Sequence, residues 1–292
     1  MLALKFNGRS LISPLGIVRL LEIFFSCTAF SLAATYKDYG GNYGSWSMFT
    51  WCFCFIVSVF VVIMELISLD AALPVSWQDF TSAFSMLATL MIFTTSVVYP
   101  ATFIPSCQRY HCGYQIGATI MSCLCFIAYA VEVGLTRAKA GELSNFLTTI
   151  PGLLKVFEAY VACLIFSLLG ISDYKKFPGL EWCVAVYCIC FILTMVIIIL
   201  TIGRCLGSLP IPVEKTLIAY NILAVLMYLT VVVVWPLYSF RDNPRPRCNI
   251  SPGRCVVWDN DLGITFLSFF NLIAYIVDFA YSYKMVFVTT PA

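Results

Sequence analysis

The stretch Gly44-Ser-Trp-Ser-Met-Phe-Thr-Trp-Cys-Phe-Cys-Phe55 returns in altered form as Leu180-Glu-Trp-Cys-Val-Ala-Val-Tyr-Cys-Ile-Cys-Phe191. Four identities recur 136 positions later, at Trp46, Cys52, Cys54 and Phe55. Both stretches lie inside long apolar runs. A fixed spacing between two such stretches indicates that one structural unit occurs twice in the chain.

The same offset extends across most of the chain. Arg19-Leu-Leu-Glu22 aligns with Lys155-Val-Phe-Glu158, and Leu73-Pro74 aligns with Leu209-Pro210. Near the end of each half the offset becomes 146, where Ile127-Ala-Tyr-Ala-Val-Glu132 aligns with Ile273-Ala-Tyr-Ile-Val-Asp278. The ten additional residues lie in the loop before the last apolar segment. We conclude that the second half of the chain is a duplicate of the first.

The composition places this duplicated unit in a membrane. The 292 residues are 61% hydrophobic and 11% charged, with a mean hydropathy of +0.92. A soluble domain has about 25% charged residues, so its surface is far more polar than this chain allows. Apolar runs of about 20 residues predict membrane-spanning helices rather than barrel strands. The net charge of +2 gives no indication of a nucleic-acid partner.

Eight apolar segments are predicted to span the bilayer, at residues 15–36, 46–69, 80–103, 114–136, 150–171, 181–203, 215–238 and 261–288. The predicted fold is therefore an all-α integral membrane protein with two tandem, parallel four-helix units. The predicted organisation is a cytosolic N-terminus at 1–13, units at 14–136 and 150–288, a cytosolic linker at 137–149 and a tail at 289–292. A cleavable leader ending at Ala33-Ala34 is the alternative for the first segment, but Arg19 and Glu22 interrupt its apolar run.

Cations divide almost evenly between the two faces, so the positive-inside rule does not give the orientation. Other features of the loops are used instead. Two cysteine pairs, Cys107/Cys112 and Cys248/Cys255, lie in equivalent loops and predict two disulfides on an oxidising face; free or lipidated thiols are the alternative. Asn249-Ile-Ser251 on the same face is a weak glycosylation sequon, since Pro252 follows it. Both termini are then predicted to be cytosolic.

Seven ionisable residues interrupt the apolar segments, all near the N-terminal face of the membrane: Arg19, Glu22, Glu65, Glu132, Lys155, Glu158 and Asp278. Arg19/Glu22 and Lys155/Glu158 are spaced i, i+3, so each pair is predicted to neutralise itself on one helix face. We interpret these seven residues as one charged layer whose polar contacts hold neighbouring helices together. A proton or ion site is the alternative, but we find no matching acid or base in the opposite leaflet.

The sequence gives little support for a metal or catalytic site. The CxC pairs Cys52/Cys54, Cys123/Cys125 and Cys188/Cys190 cannot chelate locally, because helical residues two apart point away from each other. His111 is the single histidine, so no enzyme, metal or cofactor is predicted. The six tryptophans are assigned mainly to interfacial belts, and Cys205 beside Arg204 is a candidate palmitoylation site.

Several motifs together resemble the myeloid-associated differentiation marker family. They are the stretch 44–55, Pro151-Gly-Leu-Leu-Lys155, Leu180-Glu-Trp-Cys-Val-Ala-Val-Tyr187, Leu209-Pro-Ile-Pro212 and Trp235-Pro-Leu-Tyr238. The resemblance implies two tandem MARVEL domains, each a four-helix membrane unit. It also implies a plasma-membrane protein of ordered, cholesterol-rich domains, connected with cell spreading, junctional barriers and, through a Rho-family GTPase, the cortical cytoskeleton.

Two functions from different classes follow. The first is a non-enzymatic organiser of membrane domains and partner proteins, for which cholesterol or another lipid and a homo-oligomer are further expectations. In this role the loop at 239–260 is the candidate for extracellular contacts. The second is an ion or proton channel or transporter that uses Glu65, Glu132 and Asp278. A polar path through both leaflets would favour the second function.

The disulfide prediction can be tested by peptide mapping of the full-length protein without reductant. We expect Cys107 cross-linked to Cys112 and Cys248 cross-linked to Cys255, because each pair closes a short loop on an oxidising face. Alkylation of all four thiols in the unreduced protein would contradict this expectation.

Overall fold

The computed structural model describes residues 9–35, 41–69, 73–105, 112–139, 146–170, 172, 174–205, 213–241, 243–246 and 252–287. Eight helices in these ranges are long and apolar enough to cross a membrane. They are α1 (Pro14–Thr35), α2 (Gly41–Leu66), α3 (Trp77–Phe103), α4 (Gly113–Lys139), α5 (Ile150–Leu169), α6 (Pro178–Ile202), α7 (Val213–Phe240) and α8 (Pro252–Phe287). No β-strand occurs in the described ranges. The predicted all-α membrane fold is confirmed.

The chain divides into two compact units, Met1–Thr149 and Ile150–Ala292. In the first unit α1 packs against α2 and α4, and α3 also packs against α2 and α4. In the second unit α5 and α7 each pack against α6 and α8 in the same way. Each unit is thus a ring of four helices in which the first helix contacts the fourth.

A glycine on the fourth helix allows this first-to-fourth contact in both units. A Cβ atom added at Gly117 on α4 would lie 3.2 Å from Cδ1 of Leu32 on α1. A Cβ atom added at Gly263 on α8 would lie 3.0 Å from Cδ1 of Leu168 on α5. Both members of the pair recur at the repeat offsets. Small residues allow such close helix approach in membranes, where packing replaces the hydrophobic effect as the driving force.

Aromatic side chains fill the interior of both units. Phe30 and Phe55 meet edge to face with ring centroids 5.6 Å apart, and the equivalent Phe166 and Phe191 meet at 5.5 Å. Trp51, from the stretch that revealed the repeat, is fully buried. Such edge-to-face pairs contribute about 0.5–1.5 kcal/mol beyond their buried area. One face of the repeated stretch therefore supplies core, whereas Phe49 and Trp182 on the same stretches are exposed.

The assignment of tryptophans to the interfacial belts is wrong for part of the set. Trp51 and Trp235 are fully buried, and Trp77 is nearly so, whereas Trp182 is 48% exposed. The indole N–H of Trp51 donates to the Ser122 hydroxyl, and that of Trp235 donates to the Asp261 carbonyl. A partner for the N–H group is what permits an indole ring to occupy a buried site.

Helix α3 ends at Phe103 and α7 at Phe240, at or near the predicted ends at 103 and 238, and each continues past an internal proline, Pro100 or Pro236. The start of the last helix differs from the predicted one. The last helix begins at Pro252 rather than at residue 261. The second half of the predicted loop at 239–260 is therefore helical, and α8 is 36 residues long.

Overpacking one alanine tests the four-helix ring. Ala88 on α3 is fully buried, so Ala88→Leu should lower the free energy of unfolding by about 1–3 kcal/mol. Ala101 lies on the same helix but is exposed, so Ala101→Leu should change it by less than about 0.5 kcal/mol. Denaturant unfolding in detergent micelles measures both. Equal effects of the two variants would contradict the packing described here.

Candidate functional site

The ionisable residues of the first unit converge on Arg19. Its side chain on α1 is 3% exposed, and its Nη1 atom lies 2.5 Å from Oε2 of Glu65 on α2. Its Nε atom donates to Oε1 of Glu132 on α4 at 2.6 Å. Arg19 therefore joins three helices. The sequence predicted a pair with Glu22 on its own helix, but a guanidinium can bind two carboxylates at once, and here it binds those of the neighbouring helices.

Glu22 lies at the centre of the same cluster and is completely buried. Its Oε2 atom accepts a hydrogen bond from Ser58 on α2 at 3.3 Å, and the Ser58 hydroxyl also contacts that of Tyr129 on α4 at 2.8 Å. Tyr129 in turn donates to the backbone carbonyl of Cys54 at 3.3 Å. This chain of hydroxyl groups connects Glu22 to the two helices beside it.

The second unit builds its cluster around Lys155 on α5. The ammonium donates to Glu158 on the same helix at 2.9 Å and contacts Asp278 on α8 at 2.6 Å. It donates a further hydrogen bond to Oδ1 of Asn221 on α7 at 2.7 Å. The predicted i, i+3 contact is therefore present here. The Nζ atom of Lys155 also lies 4.8 Å from the ring centroid of Tyr220, which adds a cation–π contact.

Three polar contacts to the fourth helix occur at equivalent positions in the two units. The first is the ion pair, Arg19–Glu132 at 2.6 Å and Lys155–Asp278 at 2.6 Å. The second contact joins Ser58 to Tyr129 at 2.8 Å in the first unit and Thr194 to Tyr275 at 3.2 Å in the second. The third joins Trp51 to Ser122 at 3.1 Å in the first unit and Tyr187 to Ser268 at 2.6 Å in the second. The duplication thus preserves contacts as well as helices.

The two clusters differ in net charge and in how far their side chains are exposed at the protein surface. The first sets one cation against three carboxylates, and the second sets one cation against two. The difference is Glu65, whose place in the second unit is taken by Thr201 at the repeat offset. The Glu65 side chain is 21% exposed, and a cavity of about 10 Å³ lies beside it and Arg19. Lys155 and Asp278 are at most 1% exposed.

Two further buried acids were not identified from the sequence as site residues. Asp79 at the start of α3 accepts from the backbone N–H of Leu147 at 2.9 Å, which fixes the linker to the first unit. Asp261 lies on α8, roughly 25 Å from Asp278 at 1.5 Å rise per residue, and accepts from Ser172 at 2.6 Å. Asp261 is thus a buried acid toward the other end of α8, whereas the absence of a matching acid or base from the opposite leaflet stays a prediction.

The uncharged partners Asn221 and Asn271 were also missed. Asn221 binds Lys155, and Asn271 donates to the Tyr228 hydroxyl at 2.7 Å. A single asparagine within an apolar segment is the signal that could have identified both, because a buried amide requires partners.

The cysteine and sequon predictions fall largely outside the described residues. Cys107, Cys248 and Asn249 lie there, so both disulfides and the glycosylation site stay predictions. Cys205 is exposed directly after α6, next to Arg204 with a φ of 55°. The CxC cysteines differ in burial within each pair, and the described residues contain no group of three or more histidine, cysteine or acidic residues that could hold a metal ion.

Comparison with known proteins identifies both units. The MARVEL membrane-associating domain matches residues 10–135 and 146–281. The myeloid-associated differentiation marker of Rattus norvegicus is 43% identical over 97% of this chain and 93% of its own length. That of Homo sapiens is 42% identical over 97% and 91%, and the myeloid-associated differentiation marker-like protein 2 of Xenopus laevis is 42% identical over 96% and 95%. No solved structure matches the chain.

Removal of the cation from the second cluster tests its structural role. Lys155→Met leaves Glu158 and Asp278 buried without their cation, which should cost about 3–5 kcal/mol of unfolding free energy. The double variant Lys155→Met/Asp278→Asn should recover part of the lost unfolding free energy, because Asp278 would then no longer be a buried carboxylate without its cation. Lys175 is exposed, so Lys175→Met is the control and should change stability by less than about 0.5 kcal/mol.

Unfolding in detergent micelles gives all three free energies. A loss for Lys155→Met no larger than that for Lys175→Met would show that the cluster does not hold the helices together.

Proposed function

The chain belongs to the myeloid-associated differentiation marker family of MARVEL proteins, and from that premise we propose that it is a non-enzymatic organiser of ordered plasma-membrane domains and their proteins. That it is a multi-pass membrane protein follows from its eight apolar helices and its two MARVEL matches. Roles in cell spreading, in junctional barriers and in links to the cortical cytoskeleton belong to the proposal. They rest on the family resemblance.

The proposal is carried by one observation: charged side chains lie inside each helix ring, and large apolar side chains lie on its outer surface. The charged groups of each unit bind one another inside the helix ring. The outward faces carry large apolar side chains that are about half exposed or more: Phe24, Ile56, Phe93, Ile127, Ile192, Leu226, Val233 and Phe270. A surface of this kind interacts with lipid tails and with other apolar helices. The chain therefore offers binding surface within the membrane itself.

The proposal includes an orientation. We place both termini and the linker at 137–149 in the cytosol, and the loops with the cysteine pairs outside the cell. Cys205 then faces the cytosol at a helix end, where reversible palmitoylation occurs. Cholesterol or another lipid is the expected ligand of the outward faces, and a homo-oligomer is compatible with them.

Phase partitioning tests this function. The fluorescently tagged chain in giant plasma-membrane vesicles should concentrate in the liquid-ordered phase if it organises ordered domains. Cys205→Ser should lower that enrichment and abolish palmitate labelling, because it removes the thiol that would carry the acyl chain. Cys163 is also exposed but lies within α5, so Cys163→Ser should change neither quantity.

One outcome would contradict the proposed function, and another would contradict only the assignment of Cys205. Exclusion of the wild-type chain from the ordered phase would overturn the function as stated. Undiminished palmitate labelling of the Cys205→Ser variant would remove Cys205 as the acylated residue and leave the function in place.

Ion or proton conduction is the second candidate, favoured by the partly exposed Glu65 and the cavity beside it. The expected result for an organiser is no flux above that of empty proteoliposomes. Flux that Glu65→Gln, Glu132→Gln or Asp278→Asn abolishes would replace the first function by the second. Insertion of each variant is checked by protease accessibility before flux is compared.

A further inference from the structure

We propose that the Arg19 cluster of the first unit, Arg19 with Glu22, Glu65 and Glu132, is a binding site for one proton, exchanged with water at the end of the unit where α1 begins. The site binds the proton without passing it across the membrane. The proposal is independent of the organiser function and concerns an activity of this unit alone.

The charges of the cluster require an additional positive charge. Arg19 is the cation that contacts Glu65 and Glu132, and Glu22 lies against Glu132. One cation with three ionised carboxylates would leave a formal excess of two negative charges in a site where Arg19 and Glu132 are each 3% exposed. Uncompensated charge in a buried site is strongly unfavourable, because the ion has lost its water without gaining an opposite charge. A proton on one carboxyl group removes half of the excess.

The hydrogen bonds indicate where the proton is held. Oε1 of Glu22 is fully buried and has no hydrogen-bond partner among the described residues. The Glu22 and Glu132 carboxyl groups are close enough for one to donate to the other when it carries a proton. A single proton between them therefore satisfies the unpaired oxygen and removes the repulsion between two like charges. Shared protons between adjacent carboxyl groups are an established solution to this conflict.

The surroundings of Glu22 supply no second cation. Arg19 lies on its own helix, Cys54 approaches from α2, and Cys125, Tyr129 and Glu132 approach from α4. Among these groups Arg19 alone carries positive charge, and it is already bound to Glu65 and Glu132. Ser58 on α2 gives Glu22 a neutral hydrogen bond.

Access distinguishes this cluster from the one in the second unit. The cavity of about 10 Å³ is lined by Arg19 and Glu65, and by Leu11, Gly16, Val62 and Leu66 near the start of α1 and the end of α2. That volume holds about one water molecule. Glu65 is 21% exposed beside it, so water can reach the Arg19–Glu65 contact. Glu158 is completely buried, so the second cluster is a closed counterpart and an internal control.

Infrared spectroscopy of the full-length protein in nanodiscs tests the proposal. The carbonyl stretch of a protonated carboxylic acid should appear on acidification and shift within minutes of transfer to D₂O. Glu22→Gln or Glu132→Gln should abolish this exchanging band. Glu158→Gln should leave the exchanging band intact, because it alters the closed cluster.

Glu65→Gln provides a test that does not depend on removing the proposed proton site. Loss of a nearby negative charge should weaken proton binding roughly tenfold or more, moving the midpoint of the band to lower pH by about one unit or more. Thr201→Val, at the equivalent position of the second unit, should leave the midpoint unchanged. This pair keeps the proposal testable if Glu22→Gln does not fold.

Three results would overturn the proposal. They are the absence of any protonated carboxyl band at pH values where the protein is folded, an exchanging band that Glu22→Gln and Glu132→Gln both leave unchanged, and a midpoint that Glu65→Gln does not move. Flux measurements with the same protein distinguish binding from transport: proton flux would overturn the statement that the site does not conduct.

Discussion

Both units depend on one interaction, the ion pair between a cation near the start of the first helix and a carboxylate near the end of the fourth. The pair is Arg19–Glu132 in one unit and Lys155–Asp278 in the other. In a bilayer, helices gain little by hiding apolar surface from one another, so polar contacts and close packing determine which helices meet. The ion pair joins the two helices that are most distant in sequence within each unit and so closes the ring.

The fold could be predicted because its signals are local and repeated. Length and hydropathy gave eight spans, and the offsets linking Arg19 with Lys155 and Glu132 with Asp278 gave two units of four. The change of offset from 136 to 146 indicated added residues before the last apolar segment, and the structure places most of them in the first two turns of α8 rather than in a loop. These signals survive because every span must satisfy its own backbone hydrogen bonds within the bilayer, which leaves the helix as the only solution for runs of this length.

The site could be predicted only in outline. The seven ionisable residues were identified as one layer, but their distribution into two separate clusters and the partners of Arg19 depend on how helices rotate against one another. Local spacing favoured Glu22 as the partner of Arg19, whereas packing gave it Glu65 and Glu132. Burial of Trp51 was missed for the same reason, because its hydroxyl partner Ser122 is distant in sequence.

The length of α8 has a consequence for what the protein presents outside the bilayer. A helix of 36 residues measures about 54 Å, against a hydrocarbon thickness of about 30 Å. Tilting within the range seen for spanning helices cannot absorb that difference. Part of the helix therefore extends beyond the hydrocarbon core, and its first two turns carry Arg254 and Trp258. The connection into the last helix is thus made largely by regular backbone, which holds these two side chains in fixed helical positions rather than on a loop.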